Sequence, residues 1–491
     1  MATPVESIGF GEEQATAADQ SIDIPAVPPL SVATPYLVML GAMVLAILAA
    51  DRIIARKTPT TIVTREFKAF QQSFLHVHLC ALGAEYLQDS HLFAVLLRHG
   101  HSVEDVASLY AASFTVSYLF GVVASYLPGG AAGILGGRRS ACMACFILYA
   151  TAALSVYHDD YGTLLLGRFL YGMGTALMHT VFDAWMRAEH MAQAFPEEWL
   201  VQTYQVSVRY TTAAAIGAGL ASEVAATYGD LATPFLLSVA VCGLGLSLIS
   251  RSWKGTYERL NCDCAGLATM GRSISEGIQG ILALVNANPS DRSALHLVVV
   301  QACFEACIYI ALFMWTPTLQ ASAVEHFGLG TPPPYGIIFA MLMAALMLGS
   351  HTFRLMSLSP SYRPSPETVS RTLCIMACAA CLFLAIFGTS LHWWGLGAFL
   401  VFEFCVGLYY PAIGGLRGKY VPYESQSLVA QLSKSALAIL VLSLLLNFST
   451  VNSIMFLACS CLLGAAVFVL YHALQEAPPP SSLPPVMHGE A

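Results

Sequence analysis

The sequence predicts an all-α polytopic membrane protein, in which two bundles of six helices follow one extra N-terminal transmembrane helix. Hydrophobic residues occupy 56% of the 491 positions and charged residues only 11%, whereas an ordinary soluble domain has about 25% charged residues. The apolar residues are gathered in thirteen runs, each near the ~20 residues that a helix needs to cross a bilayer. A long polar interval divides the last twelve runs into two sixes, which is the layout of a duplicated transporter.

The runs define the predicted elements in chain order. The extra helix, at 34–50, is the shortest. The N-terminal bundle, 67–250, holds runs at 70–97, 105–127, 140–157, 161–184, 203–227 and 232–250. After the central loop, 251–293, the C-terminal bundle, 294–473, holds runs at 294–316, 334–355, 369–388, 392–412, 426–448 and 450–473. The two ends, 1–33 and 474–491, are predicted to be disordered tails, because they are rich in proline or acidic residues and poor in large apolar ones.

The basic residues predict the orientation. Of the 22 Lys and Arg residues, 18 lie in loops or at run ends on one side, and only Arg98 lies on the other. Cytoplasmic loops carry such an excess of positive charge. We therefore expect an integral membrane protein, in the plasma membrane, with an extracytoplasmic N-terminus, a cytoplasmic central loop and a cytoplasmic C-terminus.

Nine acidic or basic residues remain inside the apolar runs. A charge at the centre of a transmembrane helix costs roughly 2.5–3.5 kcal/mol on insertion scales, so such residues usually serve a site or a partner. They are the cations Arg168, Arg209 and Lys434 and the acids Glu85, Asp89, Asp183, Glu223, Glu305 and Glu403.

Six of these charges occupy matching places if the two bundles are repeats. Arg168 precedes Gly172 by four residues, as Glu403 precedes Gly407. Glu85 and Glu305 form a second matched pair, and Arg209 and Lys434 form a third. The pattern predicts that these six side chains face a shared central cavity near the repeat interface, where transporters of this build place their substrate.

Simpler roles are open for four of the nine. Asp183 and Glu223 lie near run ends, where an acid caps a helix or pairs with a loop arginine. Arg209 and Lys434 lie within about two turns of the cytosolic surface, which a long basic side chain reaches by snorkelling.

The sequence contains no catalytic constellation, so we expect no enzyme activity, no cofactor and no metal. It has no phosphate-binding GxxxxGK[ST] loop, no HExxH helix and no GxSxG elbow. No basic, aromatic surface for nucleic acid is present. Most of the 14 cysteines lie in apolar runs, where a thiol behaves as a small hydrophobe. Cys262 and Cys264 in the central loop could bind metal or carry a lipid, although an idle solvent-exposed pair is the simpler interpretation.

Several segments between about residues 70 and 450 carry a family resemblance. The most specific are FPEEW at 195–199 and GLYYP at 407–411, and the others are AEYLQ at 84–88, FDAW at 182–185, QACFE at 301–305, WTP at 315–317 and GIIF at 336–339. The segment GRFLYGMGTA at 167–176 is typical of a wider superfamily. On these segments the chain resembles the eukaryotic molybdate-anion transporter family of the major facilitator superfamily.

The resemblance implies a major facilitator fold and the import of molybdate, a tetrahedral oxyanion, by alternating access. The acids at membrane depth suggest protons as the coupling ion, because a carboxylate that takes up a proton could offset the charge of the cargo. The candidate substrate-binding residues are Arg168, Arg209, Lys434, Gln88 and Gln431, and the candidate coupling or gating residues are Glu85, Asp89, Asp183, Glu305 and Glu403. Arginine would give an oxyanion planar, paired contacts. The chain departs from the family at Lys434, where the family has arginine, and at Glu85 and Asp183, where Asp and Glu are exchanged. The loop at 127–139 lacks the family's usual acid.

Two other classes of function remain open from the residues. One is a carrier for another small solute, such as an organic anion, sulfate or a sugar. The other is a membrane scaffold or sensor without flux, whose central loop serves as a partner site.

Overall fold

A computed structural model describes residues 28, 30–58, 63–126, 132–133, 135–253, 292–328, 332–421, 426–446 and 452–472. Within these ranges the chain is almost entirely helical and contains no strand. The predicted tails, apart from a few residues at their inner borders, and most of the central loop lie outside the described residues. So do Cys262 and Cys264.

The described chain forms thirteen long helices and one short one. The extra N-terminal helix is α1 (Leu30–Lys57). The first bundle contains α2 (Arg65–Asp89), the short α3 (Leu92–Arg98), α4 (Val103–Tyr126), α5 (Arg138–Ser155), α6 (Tyr161–Ala192), α7 (Glu197–Tyr228) and α8 (Thr233–Ser252). The second contains α9 (Ser293–Phe327), α10 (Tyr335–Ser357), α11 (Pro366–Phe387), α12 (His392–Tyr420), α13 (Gln426–Leu446) and α14 (Asn452–His472). The predicted all-α class, with one helix before two sixes, is confirmed.

Two helix starts illustrate how the sequence sets these bounds. Asp160 precedes α6, and its carboxylate accepts hydrogen bonds from the Thr163 backbone N–H at 2.9 Å and from its hydroxyl at 3.1 Å. These bonds satisfy an orphan donor of the first turn and hold the pKa of the Asp160 carboxyl below its usual range. Ser365 caps α11 in the same way through the Thr368 N–H, and Pro366 follows at the first helical position, where its missing N–H removes no helical bond.

Eight of the described helices are long and apolar enough to cross a membrane by length and hydropathy alone: α1, α4, α8, α9, α10, α11, α12 and α14. The helices α2, α6 and α7 fall short of that criterion, and these three carry six of the nine acidic or basic residues that lie inside apolar runs. Polar groups at membrane depth are tolerated where they face the bundle interior. These helices therefore line the polar interior.

The two bundles repeat the same helix contacts. In the first, α2 packs on α7 and α8, α5 on α6 and α8, and α4 on α6. In the second, α9 packs on α13 and α14, α11 on α12 and α14, and α10 on α12. Each pairing recurs between the corresponding helices of the second half, with α9 in the place of α2, so the second half is a structural copy of the first.

Two glycines show that the matching extends to single residues. A Cβ atom on Gly172 of α6 would lie 2.3 Å from the Ser113 carbonyl oxygen of α4. A Cβ atom on Gly407 of α12 would lie 2.0 Å from the Leu346 carbonyl oxygen of α10. Both glycines thus let equivalent helix backbones approach closely. Arg168 and Glu403, each four residues earlier, therefore occupy equivalent places in the two halves.

The halves meet mainly along two helix pairs, α7 with α10 and α4 with α13, and α3 makes a smaller contact with α9. We call the side where α8 ends and α9 begins the central-loop side. The tightest approach lies towards the opposite side, where a Cβ atom on Gly219 would be 2.7 Å from the Gly336 carbonyl oxygen. There the Glu223 carboxylate also accepts the Gly336 N–H at 2.7 Å. Glu223 thus caps the N-terminus of α10, a helix of the other half. Helix capping is one of the two roles that its position in the sequence suggested.

The predicted run at 70–97 is interrupted. The helix α2 ends at Asp89, and α3 begins at Leu92. The Ser90 hydroxyl between them donates to Ser222 of α7 at 2.8 Å, and the His91 ring lies 3.8 Å from the Glu223 carboxylate. These contacts to a distant helix fix the polar residues at the break.

The FPEEW segment is an aromatic anchor. Phe195 and Trp199 pack on Phe67 at the start of α2, with ring centroids 5.2 and 4.8 Å apart. The His190 ring nitrogen Nε2 lies 3.1 Å from the Pro196 carbonyl oxygen, and Ala194 has a φ of 53°, in the left-handed region. The segment therefore fixes the turn between α6 and α7 against α2.

Candidate functional site

The first half contains a polar cluster, which we call the N-half cluster, made by Glu85 and Asp89 of α2 and Arg168 and Tyr171 of α6. The Tyr171 hydroxyl donates to the Asp89 carboxylate at 2.6 Å. The Arg168 guanidinium lies over the Tyr171 ring, 4.6 Å from its centroid, in a cation–π contact. Asp89 also acts electrostatically on Arg168. The spacing of four residues between Glu85 and Asp89 puts both carboxylates on one face of α2.

Arg168 is the central element of this cluster. Its side chain is buried, with 3% of the residue exposed. The guanidinium nitrogen Nη2 is buried without a hydrogen-bond partner in the described part of the chain. A buried donor without an acceptor is costly, and Arg168 is not within ion-pair distance of a carboxylate among the described residues. Both N–H donors of Nη2 are therefore available to an acceptor.

Glu85 is held by hydroxyl groups. Thr175 donates to its carboxylate at 3.3 Å, and Tyr149 also hydrogen-bonds to it. The neighbouring Gln88 is fully buried and donates to the Ser238 hydroxyl at 3.0 Å. Gln88 therefore joins α2 to α8 inside the first bundle, and the structure gives it a packing role at this point.

The second half holds two acids at comparable depth. Glu305 of α9 accepts from the Gln301 amide at 2.8 Å and from the Tyr409 hydroxyl at 3.1 Å. Glu403 of α12 is half-buried, and no described residue forms an ion pair with it. The structure places no ion pair between Glu403 and Arg168 within the described ranges, although the two occupy equivalent places.

The acids of the two halves face each other across an opening. Tyr309 lies within electrostatic range of both Glu85 and Glu305, and Tyr410 lies within range of Glu305 and Glu403. Nevertheless, 40% of Tyr309 and 55% of Tyr410 are exposed. Tyr309 is thus exposed although acids of both bundles lie within electrostatic range, so we infer that it lines an opening between the bundles, with Tyr410 on the side of the second half.

Lys434 of α13 borders the same region. It acts electrostatically on Glu305 and on His179 of α6, and both Lys434 and His179 are exposed. One turn earlier, the backbone carbonyl of Gln431 accepts the Ser435 hydroxyl at 2.9 Å, and Ser435 in turn accepts the Tyr118 hydroxyl of α4 at 2.7 Å. Lys434 and Gln431 thus lie where α13 meets the first half.

Arg209 is placed elsewhere. Its guanidinium lies 3.6 Å from the carboxylate of Asp51 in the extra helix α1, and the same carboxylate oxygen lies 3.1 Å from the His351 ring of α10. The structure therefore does not bring Arg209 together with Arg168. The reason is that the Asp51 carboxylate of α1 lies beside Arg209 on the central-loop side of α7. Because α1 is not part of the repeat, matching the two halves could not predict this contact.

Asp183 also has partners outside the N-half cluster. Its carboxylate lies 2.5 Å from the Arg187 guanidinium, one turn later in α6, and accepts the Tyr204 hydroxyl of α7. This arrangement matches the helix-end role that its position suggested, pairing with an arginine one turn away.

Sequence reasoning missed three residues that the structure puts beside these charges. Tyr171 and Tyr410 lie next to the candidate residues, and a tyrosine in an apolar run gives no signal because it suits both lipid and interior. Asp51 follows the first run by a single residue. The available signal was that Asp51 is the one acidic residue of α1, whose other charged residues are basic.

With this geometry established, the chain can be compared with known proteins. A family model described as sugar transporters with 12 TM segments matches residues 36–409. A molybdate-anion transporter of Danio rerio is 31% identical over 419 residues, which cover 80% of this chain and 82% of the relative. The chain belongs to the molybdate-anion transporter family of the major facilitator superfamily. The corresponding protein of Takifugu rubripes is 29% identical over 81% of this chain and 83% of its own length.

Solved transporters share the fold. The crystal structure of a peptide transporter POT in complex with sulfate has a TM-score of 0.64 and covers 86% of this chain and 97% of that chain, at 13% identity. A POT family transporter in complex with 5-aminolevulinic acid has a TM-score of 0.62, covers 82% of this chain and 95% of that chain, and is 11% identical. The member of the molybdate-anion transporter family described here is thus a transporter rather than an enzyme, built on the major facilitator fold.

Proposed function

We propose that this transporter imports molybdate, or a closely related tetrahedral oxyanion, by alternating access coupled to protons. The single observation that carries the proposal is Arg168. A buried guanidinium with an unpartnered Nη2, beside an opening lined by groups of both halves, offers charge and directed N–H donors to an oxyanion. Arginine is suited to such anions because its planar fork matches two oxygens at once.

Lys434 supplies the second cation of the proposed site. It approaches from the other half, near Glu305. An oxyanion that enters the opening would contact Arg168 on one half and Lys434 on the other, and would favour the conformation in which the two approach each other. A ligand can shift such an equilibrium only through differential contacts with the two states. Cations on opposite halves provide that difference.

The names of the relatives support molybdate as the cargo, whereas the description of the family model names sugars. The buried charges favour the anion. A neutral sugar gives no electrostatic reason to keep a guanidinium at membrane depth, where each charge is costly. A dianion gives such a reason for the cations, and proton coupling gives one for the acids.

The electrical cost of import supports the coupling. Moving a dianion inward against 100 mV, inside negative, costs roughly 2 × 2.3, or about 4.6 kcal/mol. Two protons that travel with the dianion would cancel this charge. Glu85 and Asp89, which lie one turn apart and face Arg168 and Tyr171, are the proposed carriers in the first half, and Glu305 and Glu403 are their counterparts in the second.

The contacts between the halves support alternating access. The closest backbone approach, Gly219 against Gly336, lies towards the opposite side, and the exposed Lys434 lies only eight residues from the central-loop end of α13. We propose that this conformation opens to the cytoplasm on the central-loop side. The proposed membrane is the plasma membrane, with the N-terminus outside and the C-terminus in the cytoplasm.

The test is uptake of labelled molybdate by proteoliposomes that contain the purified full-length protein. Molybdate uptake that is reduced by excess tungstate or sulfate, but not by glucose, is the expected result. Uptake of glucose, with no flux of molybdate, would replace the proposal with the sugar carrier. Vesicles without flux of either solute would favour a scaffold or sensor.

A further inference from the structure

A second cationic pocket lies between the halves on the central-loop side, away from the N-half cluster. It has a volume of about 50 Å³ and is lined by Gln205, Val208, Arg209 and Thr212 of α7 and by Met347, Ser350, His351 and Arg354 of α10. This volume exceeds what one water molecule needs, so the pocket has room for a small ion.

An anionic group of the protein itself contacts two of the residues that line the pocket. The Asp51 carboxylate lies 3.6 Å from the Arg209 guanidinium and 3.1 Å from the His351 ring nitrogen Nε2. The other His351 ring nitrogen, Nδ1, lies 2.9 Å from the Met347 carbonyl oxygen. Both ring nitrogens of His351 are therefore engaged, one by the Asp51 carboxylate and the other by the backbone of its own helix.

The cations of the pocket outnumber this carboxylate. Arg354 is half-buried, and its guanidinium has no hydrogen-bond or ion-pair partner among the residues that the structure describes. Arg209 remains 47% exposed at its side chain. Asp51 therefore neutralises the pocket only in part, and two guanidinium groups keep free N–H donors.

Asp51 belongs to neither bundle. It lies near the end of α1, which packs along α10 of the second half, and its contact with Arg209 reaches across to the first half. An exposed ion pair at 3.6 Å is weak, typically 0.2–1 kcal/mol. A free anion can therefore compete with it.

We propose that this pocket is a second binding site for a free tetrahedral oxyanion, and that Asp51 is a tethered carboxylate that competes with the anion for Arg209. An oxyanion that arrives from the central-loop side replaces Asp51 beside Arg209 and Arg354. This replacement breaks the ion pair between Asp51 of α1 and Arg209 of the first half. The site goes beyond the proposed function, since it uses neither Arg168 nor Lys434.

The test is protection of a cysteine in the pocket. Val208 lines the pocket and is 57% exposed, so Val208→Cys in the full-length protein can be labelled with a maleimide, with the labelling of the unchanged protein subtracted. Molybdate, sulfate and phosphate are added in turn. We expect each anion to slow the labelling, and Asp51→Asn to lower the half-protecting concentration about two- to five-fold, which corresponds to the energy of one exposed ion pair.

Two further variants identify the cause of the protection. Arg354→Gln, added to Asp51→Asn, should reverse the gain in affinity. Glu66→Gln removes an exposed acid from the same side of the protein and should leave the half-protecting concentration unchanged. The proposal would be overturned if Asp51→Asn left the half-protecting concentration unchanged, or if Glu66→Gln lowered it to the same extent.

The same measurement on Arg168→Gln separates this site from the transport site. Protection should persist in that variant, even when uptake is lost, because the pocket does not involve Arg168. Protection that disappears together with uptake would mean that it reports binding at the transport site, and protection by phosphatidic acid vesicles alone would assign the pocket to a lipid headgroup. Either result would refute the proposed site.

Discussion

Replacement of Arg168 tests the proposed transport site most directly. Arg168→Gln removes the positive charge and the unpartnered Nη2 donor that the oxyanion would use. A hydrogen bond to a charged group contributes about 1.5–3 kcal/mol, so the loss of two such bonds to one oxyanion costs at least about 3 kcal/mol. This corresponds to a roughly 100-fold weaker apparent affinity. Arg168→Lys keeps the charge but loses the paired geometry, and should weaken the affinity about 10-fold.

The assay is the concentration dependence of labelled molybdate uptake in proteoliposomes that contain equal amounts of folded protein. Arg98→Gln is the matched control, because Arg98 is an exposed arginine that pairs with Asp230 outside both clusters. That variant should transport like the unchanged protein. Arg168→Gln with an apparent affinity within two-fold of the unchanged protein would refute the argument and return Arg168 to a role in helix packing.

Three other predictions follow from separate contacts. Glu223→Gln weakens the charge-assisted hydrogen bond to the Gly336 N–H by about 1 kcal/mol. Double electron–electron resonance between spin labels on α7 and α10 should therefore show an about five-fold larger population that is open at the side opposite the central loop. An unchanged distance distribution would contradict this. Molybdate uptake should rise as the external pH falls from about 8 to 5.5, and Glu85→Gln should abolish this dependence on pH. Uptake that does not change with pH in the unchanged protein would exclude Glu85 as a proton carrier. Gly407→Val places a Cβ atom 2.0 Å from a carbonyl oxygen of α10 and should lower the free energy of unfolding by about 1–3 kcal/mol or more. Gly397→Val is the control, because its Cβ atom would have no atom within 4 Å, and it should have little effect. Equal melting temperatures of the two variants would contradict the close packing at Gly407.

The fold could be predicted from the sequence because the bilayer restricts the choices. A helix must satisfy its own backbone groups and span a fixed thickness, so thirteen apolar runs led directly to thirteen long helices. The matched spacing of Arg168 with Gly172 and of Glu403 with Gly407 also carried structural information, because each glycine must allow close backbone contact at the same place in its half.

The candidate site was less accessible to sequence reasoning. The positions of Arg209 and Asp183 depend on the partners that the fold brings to them: Asp51 lies in the extra helix, outside the repeat, and Tyr204 lies on a neighbouring helix. The break after Asp89 is fixed by Ser222, which is 132 residues from Ser90. Hydropathy identifies which segments enter the membrane, whereas side-chain partners at such separations are set by helix packing.

The attachment of α1 has a consequence for biosynthesis. The Tyr36 hydroxyl bonds to the His392 ring, 356 residues later in the chain, and Asp51 contacts His351, 300 residues later. Synthesis proceeds from the N-terminus at roughly 5–20 residues per second, so the first helix to leave the ribosome waits for at least ~15 seconds before its docking surface exists. During that interval Asp51 lacks its histidine partner at the edge of the lipid. A nascent chain that stalls before α10 would therefore leave α1 unattached, and such chains should be preferred substrates for membrane quality control.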